Sequence, residues 1–180
     1  MNMTTATQTY AVDPIHSSAE FVVRHLMISK VRGRFMGLTG SIELTEGAEL
    51  PSAIGATLHT ATIATGDPQR DGHLASPDFF DAAQFPTIDF RSTAISGPPD
   101  AFEIHGDLTM HGVTLPIVLH ASYEGRSTDP WGNKRVGYEA HGKLSRKEYG
   151  LLWNQALETG GVAVGDDVKI ELSIEAVEAK

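Results

Sequence analysis

The chain reads as all-β: a single eight-stranded antiparallel β-barrel with short helical segments in its long loops. Three observations predict this. Apolar and polar residues alternate with period two along about eight runs, the mark of strands with one buried and one wet face. Several runs are on the order of ten residues, longer than the usual five or six. Most connections are short and turn-like, and a meander closed on itself leaves no unpaired strand edge. A two-sheet sandwich would satisfy the same alternation, because a strand count does not prove closure.

In the first long run Ala19, Phe21 and Val23 share one face, against Ser18, Glu20 and Arg24. Met36, Leu38, Gly40, Ile42 and Leu44 form the next face, and Thr45 to Ser52 is a polar turn region. Ile54, Ala56 and Leu58 alternate with Gly55, Thr57 and His59; later Ile88 and Phe90 alternate with Asp89 and Arg91. Ser96-Gly97-Pro98-Pro99-Asp100 is a turn by composition. Phe102, Ile104, Gly106 and Leu108 precede a tight connection at His111-Gly112, and Leu115, Ile117, Leu119, Ala121 and Tyr123 follow it. Asp129 to Lys134 is a turn before Val136, Tyr138, Ala140, Gly142 and Leu144; the last run is Val168, Ile170, Leu172, Ile174 and Ala176. Gly40, Gly106, Gly137 and Gly142 fall inside strands, where glycine often allows a bend or bulge.

Two stretches depart from the alternation. From Ala64 to Pro86 the chain carries Leu74, Phe79, Phe80 and Phe85. A loop this long inside a domain is usually functional or self-packed. Ser76 is expected to cap a short helix with Pro77 at its first position. Ser145 to Gly161 holds the bulky cluster Tyr149, Leu151, Leu152 and Trp153 and reads as a part-helical loop. Both are expected to cover barrel ends.

A length of 180 residues fits one domain with a sizeable core. The expected division is a disordered polar tail over 1–9 and a barrel domain over 10–178. Net charge is −9, which argues against a nucleic-acid backbone or an anionic membrane surface as the main partner but leaves room for a local basic patch. The absence of cysteine removes disulfides, thiol nucleophiles and cysteine metal sites. No run approaches the roughly 20 apolar residues of a transmembrane helix. Residues 1–9 carry neither a basic nor an apolar signal region, so a cytoplasmic location is expected.

An eight-stranded barrel is just wide enough either to be filled by its own side chains or to hold one small ligand. The small inward candidates Ala56, Gly106, Ala140 and Gly142 favour a cavity. The eight histidines show no His-x-x-x-His or Glu-x-x-His pair. His16, His25 and His73 form the best metal trio, but hydrogen bonding that pins loops is the simpler role, and no metal is expected. Arg70, Asp71 and His73 place a charge pair and a base in one loop. Without a Gly-x-Ser-x-Gly elbow, a metal-assisted enzyme is the rival reading and a filled interaction module the other. No phosphate loop or other cofactor motif is present, so no cofactor is expected.

An ordered set of short motifs covers nearly the whole chain. It runs from Asp13-Pro14-Ile15-His16-Ser17, with Phe21 and His25, through Gly33-Arg34-Phe35 to Gly40. It continues with Arg70-Asp71-Gly72-His73-Leu74, Asp78-Phe79-Phe80-Asp81, Phe85-Pro86 and Gly106 to Thr114. Arg146 to Leu151, Trp153-Asn154 and Val164 to Val168 complete it, covering Tyr10 to about Ala176. Together these motifs resemble the YceI-like family of lipocalin-like lipid-binding barrels, and the resemblance implies a lipocalin-like barrel, often a homodimer, around an elongated apolar pocket for a polyisoprenoid, isoprenoid quinone or fatty-acid derivative. Many relatives carry a periplasmic signal. The expected function is non-covalent binding, storage or transport of such a molecule. The expected lining is Phe21, Val23, Met36, Leu38, Leu58, Phe90, Phe102, Ile104, Leu115, Ile117, Leu119, Tyr138 and Ile170. Phe79, Phe80 and Trp153 are expected to contact the ligand from the covering loops, and Arg70 or Arg91 to meet a polar head.

Overall fold

Eleven strands, one α-helix and two short 3-10 turns, at Thr60–Thr62 and Arg146–Tyr149, make up the computed structural model, which describes residues 6–180. In chain order the strands and the α-helix are β1 (Thr7–Val12), β2 (Ser18–His25), β3 (Ser29–Phe35), β4 (Leu38–Thr45), β5 (Ala53–His59), β6 (Ile63–Ala64), α1 (Pro68–Ala75), β7 (Thr87–Ser96), β8 (Phe102–Met110), β9 (Val113–Thr128), β10 (Lys134–Ser145) and β11 (Val164–Glu178). Closure runs through β1. It bonds to β4 on one side and to the C-terminal end of β11 on the other, with Val12 opposite Ala176. Eight antiparallel strands, β1-β4-β5-β7-β8-β9-β10-β11, therefore form a closed barrel.

The other strands build a flap on the same wall. β2 pairs with the N-terminal half of β11, β3 with β2, and β6 with β3. The count of eight thus matches the alternating runs, but its membership differs: β1 replaces β2 as the closing strand. β1 is short and Thr-rich, with only Tyr10 fully buried, so its period-two signal is faint. The expected tail boundary shifts accordingly. Residues 7–9 belong to β1, and residues 1–5 lie outside the described residues.

Two other expectations are corrected. Met36 is 57% exposed, not inward. β3 ends at Phe35 and β4 begins at Leu38, so the two residues between them reset the alternation; Phe35 and Leu38 both take inward places. The helix in the long loop lies before Ser76. Asp67 caps it by accepting from the Gln69 and Arg70 backbone N–H groups, Pro68 opens it, and Ser76 closes it. Asp67-Pro68 offers the same cap-and-proline chemistry as Ser76-Pro77, nine residues earlier.

The chain's strand ends divide the barrel into two ends. One is plugged by Tyr10, Leu44, Phe102, Val136 and Ala176, all buried. Beside it Arg135 donates to Asp13 at 2.8 Å, Glu175 at 2.6 Å and Asp129 at 2.9 Å. The Arg135 guanidinium, then His16, holds the Asp13 carboxyl well below the usual carboxylate range. Hydrogen bonds from Asn133, and then from Arg135, do the same for Asp129. These carboxyls bind protons less readily folded than unfolded. Their contribution is full above the unfolded value of about 4 and fades as pH falls below it. Arg135→Gln should therefore be less stable at neutral pH, with a deficit that shrinks from about pH 4 downward. Urea unfolding across pH measures this, and a pH-independent deficit would count against it.

Candidate ligand cavity

The inward faces of the barrel do not meet. They enclose a cavity of about 240 Å³. Its lining is apolar apart from Glu20, Arg146 and the phenol of Tyr138, and the Tyr138 hydroxyl donates to the Glu49 carbonyl at 2.7 Å. Alternation along the strands dictates this, because every second residue of each strand points inward. Ala56 and Ala140 supply room on the lining. Gly106 and Gly142 do not: a Cβ on Gly106 would collide with the Phe90 ring, and one on Gly142 would meet Leu119 at 2.7 Å. These glycines make space for a neighbour's side chain.

Of the side chains expected at the ligand, Phe21, Val23, Leu38, Leu58, Phe79, Phe80, Phe90, Ile104, Ile117, Leu119, Tyr138 and Ile170 line the cavity. Phe102 does not, because it sits in the plugged end with its ring 6.1 Å from that of Tyr138. Leu115 is half-buried against the core, near the start of β9 and off the cavity. Trp153 is not on the lining; it packs edge-on against His73 at 4.8 Å and tilted against Phe79 at 5.3 Å. Neither proposed head-group cation reaches the interior. Arg70 is spent on Thr65, donating to its hydroxyl at 2.7 Å and its carbonyl at 2.9 Å. Arg91 is exposed beside inward Phe90, opposite Asp107 in register.

The roof is built from both long loops. Leu74, Phe79 and Phe80 come from the first, Arg146 and Leu151 from the second. Phe79, His73 and Trp153 weld the two together, and Phe80 packs edge-on against Phe35 at 5.7 Å. His111, in the β8–β9 turn, donates from Nδ1 to the Tyr149 carbonyl at 3.1 Å and stacks on Phe85.

Arg146 was not foreseen. It is 4% exposed, and its guanidinium donates to the carbonyls of Leu151 at 2.7 Å, Trp153 at 2.9 Å, Gly165 at 2.8 Å and Val164 at 3.3 Å. Burial lowers its pKa, and Asp166, 3.7 Å away, opposes that shift. A lone arginine in a Lys/Glu-bearing loop gives no sequence signal of burial. Its role follows from five fixed donors in one fork meeting several carbonyls of the loop and of the start of β11.

The three histidines considered for a metal occupy separate elements. His16 follows β1 and bonds Asp13 at 2.9 Å; His25 ends β2; His73 is on α1 and bonds Asp78 at 2.9 Å. Asp13, His16 and Glu175 have donor atoms close together, but the Arg135 guanidinium already bridges the two carboxylates.

Fold and cavity together define the class: a closed antiparallel barrel with a roofed apolar interior. The YceI-like domain family model matches residues 10–176, and the chain belongs to that family. It is 33% identical to Protein YceI of Escherichia coli O157:H7 over 165 residues, 92% of this chain and 83% of the relative. The crystal structure of Campylobacter jejuni YceI matches with a TM-score of 0.76 at 26% identity, covering 87% of this chain and 90% of the other. A polyisoprenoid-binding domain from Saccharophagus degradans shares the fold, with a TM-score of 0.70 at 15% identity over 96% and 99% of the two chains.

Proposed function

We propose that the barrel holds the hydrocarbon end of an isoprenoid-type lipid non-covalently and releases it unchanged, as a carrier or store. The observation that carries this reading is the roofed cavity of about 240 Å³ with an apolar lining. Its buried cation is bonded to backbone carbonyls, so a polar head drawn inside would lose its water without gaining a partner. The ligand therefore enters tail first. The polyisoprenoid named for the Saccharophagus domain has the chemistry this interior favours.

The volume sets a length. At roughly 30 Å³ per water-sized group, about eight such groups fit, and a longer chain must extend past the cavity. Organic extraction and mass spectrometry of the purified protein should yield a near-stoichiometric long-chain lipid. In a displacement assay with single-chain amphiphiles, affinity should rise about fourfold per methylene, the equivalent of about 0.8 kcal/mol. That rise should flatten beyond roughly eight to ten carbons. No dependence on chain length would sink the reading.

A further inference from the structure

We infer that the β2–β3 hairpin docks the barrel on an anionic lipid bilayer, its apolar tip entering the interface and its basic outer face lying on the headgroups. As a route for lipid exchange this rests on the carrier reading above.

The tip is Leu26-Met27-Ile28, exposed by 38%, 56% and 81%. Three adjacent apolar side chains in water need a reason. The backbone adds another. Leu26 and Met27 have φ of 52° and 65°, the left-handed region that type I′ hairpins require and that Asn and Gly usually supply. Two bulky apolar residues hold these places at a conformational cost. Ile28 N–H closes the turn on the His25 carbonyl at 3.2 Å.

The charge is equally uneven. The chain has 14 Lys and Arg against 23 Asp and Glu, yet residues 21–42 carry Arg24, Lys30, Arg32 and Arg34 and no acid. Cross-strand register puts all four on one face: Phe21 and Val23 face the cavity, so Arg24, opposite Lys30, and Arg32 and Arg34 on the same alternation, face out. Arg32 pairs with Glu171 at 2.9 Å. Among the described residues Arg24, Lys30 and Arg34 form no ion pair, although Glu20 stands opposite Arg34 in register. An apolar edge beside a basic face is the pattern of an interfacial anchor.

The hairpin also adjoins the cavity. Leu26 N–H donates to the Ala163 carbonyl at 2.8 Å, and Val164, the next residue, is opposite His25 and lines the interior. A chain leaving the bilayer along the tip reaches the cavity within a few residues.

The test is flotation of the whole protein with vesicles of phosphatidylcholine alone or with one-third phosphatidylglycerol, at about 0.1 M salt, where the Debye length is about 10 Å. Wild-type protein should float with the anionic vesicles and be released by salt. A basic residue near such a surface is worth about fivefold, so Arg24→Gln with Lys30→Gln should weaken binding about 30-fold. Ile28→Asp should lose flotation while still binding amphiphile in solution. Equal flotation with neutral vesicles, or variants that float like wild type, would overturn the proposal. So would a wild-type dimer that Ile28→Asp converts to monomer, since the tip would then cover a second copy. Amphiphile binding without flotation defeats docking and leaves the carrier reading standing; flotation without amphiphile binding defeats the carrier reading alone.

Discussion

Ala140→Trp should abolish hydrocarbon binding and leave the barrel folded. Ala140 stands between Ala121 and Leu172 in register and lines the cavity. The indole adds a two-ring system to the alanine Cβ, comparable to the roughly eight water-sized groups that a cavity of about 240 Å³ holds. Losing contact for about eight methylene-sized groups removes roughly 6 kcal/mol at about 0.8 each, which is more than a thousandfold in affinity. Because the indole enters a void, its cost to the fold should stay near or below the about 1–3 kcal/mol of an overpacked core. Amphiphile displacement and thermal unfolding read the two effects separately. A folded variant with undiminished uptake would move the binding site out of the barrel. An unfolded one would mean that the interior has no room to give.

Arg146→Met should detach the roof. The change leaves the carbonyls of Leu151, Trp153 and Gly165 without the guanidinium's hydrogen bonds, while that of Val164 keeps its donor in the Asn154 amide at 2.7 Å. Asp166, whose Oδ1 is already buried without a hydrogen bond, keeps its pair with Lys147 at 3.0 Å but loses the guanidinium 3.7 Å away. Removing one partner from such a buried network costs about 3–5 kcal/mol. For a chain of this size that lowers Tm by about 10 °C. Lysine should rescue only part of this, because an ammonium cannot reproduce the guanidinium's fork. Hydrogen exchange should speed up over residues 150–165 before it does so in the barrel strands. An unchanged Tm would show that water replaces the guanidinium.

The apolar lining of the candidate site was legible where alternation continued unbroken. Leu38, Leu58, Ile104, Ile117 and Leu119 each sit at a regular inward position, and the cavity receives them. It was illegible where backbone geometry reset the phase. Met36 falls between Phe35, the last residue of β3, and Leu38, the first of β4, where the two-residue break resets the alternation from one strand to the next. Phe102 faces inward as its pattern requires, but periodicity gives the side of a strand and not the height along the barrel, so the plugged end was indistinguishable from the cavity. Arg70 and Arg91 failed for a third reason. A cation's partner is chosen by whatever folds beside it, here Thr65 for Arg70 and open solvent for Arg91.

By itself, the sequence determined that this is an antiparallel β protein with one buried face per strand, two apolar covering segments and, through its ordered motifs, membership of one family. Those properties are local or additive: alternation, turn chemistry and composition act within a few residues. Only the tertiary structure decided that β1 closes the barrel, that the inward faces leave a void, that Arg146 holds the roof and that four basic side chains share one outer face. Each of these depends on which distant segments become neighbours, as when Val12 meets Ala176 or Arg24 meets Lys30 across a strained turn. Strand register and closure set those meetings, and a one-residue slip would exchange the lining for the surface.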